Sequence, residues 1–146
     1  MSLVLVFPCE TCVKENKNKI MHENEIAKIV FDTVVKIHKK LGPGLLESAY
    51  EKCLIYELRK QGLFIENQVV LPLIYDDIII DDGYRLDVLV ENKVILELKA
   101  VLEVNDIFKA QLLTYLKLSG CKLGLLINFN VPYMGKGFQR IINGDL

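Results

Sequence analysis

Two carboxylates and an amine, Asp87, Glu97 and Lys99, lie in the stretch YRLDVLVENKVILELKA from Tyr84 to Ala100. Its alternating residues read as two strands joined at Glu91-Asn92. Successive side chains of a strand point to opposite faces, so Glu97 and Lys99 share one face while Leu96, Leu98 and Ala100 take the other. On the preceding strand Leu86, Val88 and Val90 form the apolar set, and Asp87 shares its face with Arg85 and Leu89. If the strands pair, Asp87 approaches Glu97 at the roughly 5 to 8 Å that separates opposed or diagonal side chains. That spacing suits two carboxylates sharing a divalent cation, with an ammonium beside them.

Three further residues could line the same pocket. Glu47 falls on the first turn of a helix, where the dipole favours a carboxylate. Gln111 and Tyr115 lie one turn apart on one face of a later helix. Mg²⁺ takes oxygen ligands and keeps several waters, so two or three carboxylates with a backbone carbonyl make a sufficient cage. Such a cation would acidify a water and neutralise a phosphate under attack, and Lys99 would position that water or stabilise the developing charge. Each residue also has a plainer reading. Glu97 and Lys99 could be a solvated strand face with a weak ion pair. Glu47 could be a helix-start charge, Gln111 a satisfied core amide, and Tyr115 a packing residue with a hydroxyl partner. Tyr50 reads as core and His38 as a boundary histidine.

The elements that must position these residues follow from periodicity. Apolar residues at three- and four-residue steps, Ile26, Ala27, Val30, Phe31, Val34, Ile37 and Leu41, predict an amphipathic helix from Asn24 to Leu41 with Asn24 as N-cap. Gly42-Pro43-Gly44 stops it. A second helix is predicted from Leu45 to Gln61, with Leu46, Ala49, Tyr50, Cys53, Leu54 and Leu58 inward and Gly62 as C-cap. Phe64 to Tyr75 predicts an edge or bulged strand interrupted by Pro72. Ile78 to Ile80 sits between aspartate-rich turns, and the hairpin follows. Asn105 or Asp106 caps a third helix to about Ser119, closed by Gly120. Leu123 to Phe129 reads as a strand buried on both faces, and Pro132 to Leu146 as a glycine-rich tail able to dock Phe138, Ile141 and Ile142. The order predicts an α/β fold with a mixed sheet and helices on its faces.

Length and composition bound the rest. The chain's 146 residues, 51% hydrophobic, predict one domain over residues 22–146 behind an N-terminal extension, residues 1–21, and exclude a disordered chain. No apolar run approaches the roughly 20 residues that span a bilayer, and no secretory signal is recognisable, so a soluble, cytoplasmic protein is expected. Met21, just ahead of the periodic sequence, is a candidate alternative start. The four cysteines form no disulfide framework, and Cys9-Glu-Thr-Cys12 has the spacing of half a zinc site without matching partners. A net charge of −1 excludes binding of long nucleic acid through a general basic surplus, leaving a local cluster or bound cations.

Asp87, nine residues, then Glu97-Leu98-Lys99 resembles the signature of the PD-(D/E)XK nuclease superfamily, and Gly44-Leu-Leu-Glu47-Ser-Ala-Tyr50 resembles the motif for which its GxxExxY family is named. The likeness covers roughly Glu23 to Ile142, with Leu86 in place of the motif's proline, which is not a ligand. The resemblance implies a restriction-endonuclease-like αβββαβ core behind an N-terminal helix pair. It implies that Glu47, Asp87, Glu97 and the Leu98 carbonyl hold Mg²⁺ or Mn²⁺, that Lys99 assists the attacking water, and that Gln111 and Tyr115 support the site and contact substrate. The function implied is hydrolysis of phosphodiester bonds in DNA, or else RNA. The alternative is a catalytically silent module of the same fold that binds nucleic acid or protein. A homodimer through the helix pair is a further reading.

Overall fold

The computed structural model describes residues 19–81 and 83–146; Cys9, Cys12 and most of the expected extension lie outside them. Helix α1 (Glu23–Leu41) and helix α2 (Glu47–Lys60) form the N-terminal pair. α1 buries Ile26, Ala27, Val30, Val34 and Ile37, as its periodicity predicts. Its cap differs from expectation: His22 Nδ1 accepts from the Asn24 N–H at 3.1 Å, while the Asn24 side chain accepts from Arg140. His38 is no boundary residue but buried, with Nε2 2.9 Å from the Val131 carbonyl. α2 buries Tyr50, Leu54, Ile55 and Leu58, whereas Leu46, expected inward, is exposed because the helix starts only after it. The N–H groups of Gly62 and Leu63 donate to the Arg59 and Leu58 carbonyls, a Schellman closure that needs the left-handed Gly62 at φ 85.

The main sheet has five strands: β1 (Ile65–Val70), β4 (Arg85–Val90), β5 (Val94–Lys99), β6 (Leu123–Asn128) and β7 (Phe138–Ile142), in that spatial order. β5 and β6 are parallel, and the other neighbours are antiparallel. Helix α3 (Asp106–Ser119) makes the crossover between the parallel pair. It is capped by the Asn105 side chain and ended by the left-handed Gly120. Thus α2, β1, β4, β5, α3 and β6 supply the αβββαβ order of a restriction-endonuclease-like fold, as expected. A separate hairpin of β2 (Leu73–Tyr75) and β3 (Ile78–Ile80) is inserted between β1 and β4. The predicted single strand up to Tyr75 is therefore two elements, divided where Pro72 lacks the N–H a ladder requires. The predicted tail is corrected as well: after the short helix α4 (Met134–Gly137), residues Phe138–Ile142 pair with β6 as an edge strand.

One apolar layer, including Ile26, Val34, Tyr50, Leu54, Val88, Leu96, Leu98 and Phe129, joins α1 and α2 to the sheet. The other, Leu71, Leu86, Ile95, Leu112, Tyr115, Leu116 and Leu126, lies under α3. Among the described residues no helix is long and apolar enough to cross a membrane.

Candidate active site

β4 and β5 pair from Val90↔Val94 to Val88↔Leu96, and the ladder stops there. Glu91 (φ 52) and Asn92 (φ 54) make the turn, in the left-handed conformation that matches strand twist. One step past the last pair, the same register brings Asp87 opposite Glu97, and side chains replace the backbone ladder. Glu97 Oε1 accepts from the Asp87 N–H at 3.3 Å, and Asp87 Oδ2 accepts from the Leu98 N–H at 2.9 Å. On the other side, β1 pairs with β4 at Asn67↔Val88 and Val69↔Leu86 but not at Gln68, whose φ is 51. The strand rolls over at Asp87. Val88 and Val90 pack under the helix pair while Leu86 packs under α3, which corrects the expectation that the three share one face. The roll aims the Asp87 carboxylate across the gap at β5.

Glu97 sits on the central strand and is 6% exposed, so the reading of a solvated strand face does not hold. Burial and, after it, the neighbouring Asp87 charge push its pKa up from 4.5 to about 8, against the opposing Lys99 charge. Two acids this close do not both ionise readily. Lys99, next on the same face, holds its Nζ 4.5 Å from the centre of the Phe108 ring on α3.

Tyr115 and Gln111 approach from α3. Gln111 is exposed rather than a core amide, and its Nε2 donates to the Tyr115 hydroxyl at 2.8 Å. Tyr115 is 4% exposed, with its ring edge-on to Tyr84 at 6.3 Å. Burial raises its pKa, and the Glu97 charge adds to the rise, so the hydroxyl lies close to the acids. A ring this covered cannot stack on a base, and Tyr115 packs instead.

Glu47 reaches the site from the opposite layer. Burial raises its pKa, Lys99 lowers it, and the Asp87 and Glu51 charges raise it again, while a hydrogen bond from the Ala100 N–H lowers it. Tyr50 fixes this position: its hydroxyl donates to the Gly42 carbonyl and accepts from the Leu45 N–H at 3.1 Å, and its ring stacks on Phe129 at 4.2 Å. The loop thus held includes Gly44 at φ 104, a conformation for which glycine is the fitting residue. Sequence reasoning missed three residues. Glu51 lies one turn after Glu47, accepts from Gln68 Nε2 at 3.1 Å, and is raised by burial and by the Asp87 charge; its i, i+4 spacing was the available signal. Gln68 offered none, since a left-handed residue inside a strand is set by its neighbours. Asn128, 2% exposed, bonds both the N–H and the carbonyl of Val101 at 3.1 and 2.9 Å, anchoring the chain just beyond Lys99.

An αβββαβ core with two acids and a lysine where its central hairpin opens defines a nuclease-type architecture. The family model of the PD-(D/E)XK nuclease superfamily matches residues 24–141, and the chain belongs to that superfamily. Comparison with curated proteins and with solved structures finds no match. Nucleases of this superfamily generally use divalent metals and act on nucleic acid. Among the described residues no three His, Cys, Asp or Glu side chains close into a ready cage. The chemistry of the donors nonetheless fits a hard cation: Asp87 and Glu97 present oxygens to each other, Glu47 and Glu51 flank them, and a positive charge would offset the burial and the Asp87 repulsion that keep Glu97 protonated.

Proposed function

We propose that this chain is a divalent-metal-dependent nuclease of the GxxExxY type that hydrolyses phosphodiester bonds in DNA, or else RNA, in the cytoplasm. The observation that carries the reading is the opened β4–β5 ladder, where the Glu97 carboxyl accepts from the Asp87 N–H and the Asp87 carboxylate from the Leu98 N–H, beside Lys99. Asp87, Glu97, Glu47 and the Leu98 carbonyl would hold Mg²⁺ or Mn²⁺, which when bound supplies an acidified water and charge neutralisation at phosphorus. Because the Glu97 proton must leave before its oxygens can ligate, metal uptake is linked to proton release. Lys99 orients the attacking water and stabilises charge growing on the phosphoryl oxygens. Its ammonium is held against the Phe108 face, which limits its conformations. Gln111 and Tyr115 buttress the acids, and only the exposed Gln111 is open to substrate.

The test is Mg²⁺- or Mn²⁺-dependent cleavage of single-stranded, duplex and branched DNA. Lys99→Ala should lower the rate by about a hundredfold or more, the scale for losing a charge-stabilising donor. Calorimetry should detect metal binding that vanishes in Asp87→Asn. Absence of cleavage on every substrate, or an unimpaired Lys99→Ala protein, removes the proposal.

A further inference from the structure

A net charge of −1 conceals an uneven distribution. α2 is divided lengthwise. Glu47 and Glu51 lie within the electrostatic reach of Asp87, whereas Lys52, Arg59 and Lys60 line a shallow cavity of about 650 Å³ together with Tyr56 and Asn67. Lys52 and Tyr56 also line a groove of about 290 Å³ between α1 and α2, with Lys40 on its far side. Further along α1, Lys36, Lys39 and Lys40 border a third depression of about 430 Å³.

The acids on this face are already matched, Glu57 to Lys36 at 2.9 Å and Asp32 to Lys28 at 2.8 Å. Among the described residues the side chains of Lys39, Lys40 and Lys52 make no hydrogen bond or ion pair. Tyr56 is 64% exposed, with the Lys60 ammonium 5.9 Å from its ring centre. The surface runs into the site, because Asn67 in the large cavity precedes Gln68, which holds Glu51. From Glu47 to Lys60 the helix rises about 20 Å, the axial span of roughly six phosphates on one duplex strand.

We infer that this face of the helix pair is a track for the phosphate backbone of a nucleic-acid strand, with Tyr56 as a stacking surface for an unpaired base. The inference rests on the nuclease reading for where the track leads, to a scissile phosphate beside Asp87, Glu97 and Lys99. An acidic polypeptide would match the charges, but it would use neither the exposed ring between them nor their continuity with the acids of the site.

The test is fluorescence anisotropy of the full chain with dye-labelled single-stranded and duplex DNA in chelator, where no cleavage interferes, titrated in salt. In the variant combining Lys40→Ala, Lys52→Ala and Lys60→Ala, affinity should fall about tenfold or more at low salt, and the slope of log affinity on log salt should fall by about 2 to 3. Tyr56→Ala should weaken single strands by about tenfold and duplex less, while Lys122→Ala, at the end of the sheet away from Lys99, changes neither. Hydrolysis of bis(4-nitrophenyl) phosphate, too short to reach the track, should be unchanged when Lys40→Ala and Lys60→Ala are combined without touching Lys52, the neighbour of Glu51 that the triple variant also alters. Unchanged affinity and slope in that variant, or no binding by the wild type, overturns the track; so does stronger competition by polyglutamate than by nucleic acid. Weakened binding in a protein that hydrolyses no phosphodiester sustains the track and removes the catalytic reading alone.

Discussion

Replacing Glu97 by glutamine should stabilise the metal-free protein at and above neutral pH. The carboxyl is 6% exposed and its pKa is raised from 4.5 to about 8, chiefly by burial and then by Asp87. The folded state therefore binds this proton more tightly than the unfolded chain does. Its contribution to stability is intact below about pH 4.5 and is lost as pH rises through about 8. At about 1.4 kcal/mol per unit the whole window amounts to an upper limit of about 5 kcal/mol, and relaxation around the ionised group should leave on the order of 3. Glutamine keeps the oxygen that accepts from the Asp87 N–H and carries no charge at any pH. Urea unfolding in chelator at about pH 5 and about pH 8 should show the wild type losing stability between the two while Glu97→Gln changes far less. Mn²⁺ should restore the wild type at the higher pH and leave the variant nearly unaffected. Parallel pH dependence in the two proteins would refute the assignment of a repelled, buried carboxyl pair.

Other substitutions probe the supports. Tyr50→Phe removes the hydroxyl that bridges the Gly42 carbonyl and the Leu45 N–H, and should cost about 1 to 3 kcal/mol by thermal or urea unfolding; a neutral result would detach Tyr50 from the loop that seats Glu47. At Gly137 an added Cβ would meet the Asn128 carbonyl oxygen and crowd a Val131 methyl. Gly137→Ala should therefore destabilise by about 2 kcal/mol or more, and a wild-type melting temperature would contradict that packing. Glu51→Gln removes a charge that raises Glu47 and should weaken Mn²⁺ binding in calorimetry several-fold at unchanged melting temperature. Equal affinity would place Glu51 outside the site.

Much of the core was legible in the residues alone. The stripe from Ile26 to Ile37, the Gly42-Pro43-Gly44 stop, the Asn105 cap, the Gly120 close and the apolar run of β6 are local features, each fixed by periodicity or by a backbone conformation few residues adopt. The separation of Asp87 from Glu97 and Lys99 along one hairpin was local too, because a turn at Glu91-Asn92 sets the register of both strands.

Tertiary structure decided what depends on partners far away in the chain. Phe138–Ile142 became a strand because the free edge of β6 supplied hydrogen bonds to a segment with weak periodicity of its own. At Pro72 what reads as one interrupted edge strand became two elements of separate sheets. Gln68 took a left-handed turn inside β1, and with it β4 rolled over, so Leu86 left the face of Val88 and Asp87 turned toward β5. Burial of Tyr115 left it a packing residue rather than a contact for substrate. Composition reports net charge, but only the packing of α1 on α2 gathers lysines on one face and acids on the other. The sequence by itself determined which helices and strands could form and that acids and a lysine would share a hairpin, since those are matters of nearest neighbours. How the acids meet, how strongly one of them holds its proton and where the positive surface lies were decided only on folding, because burial and charge proximity are properties of three-dimensional packing.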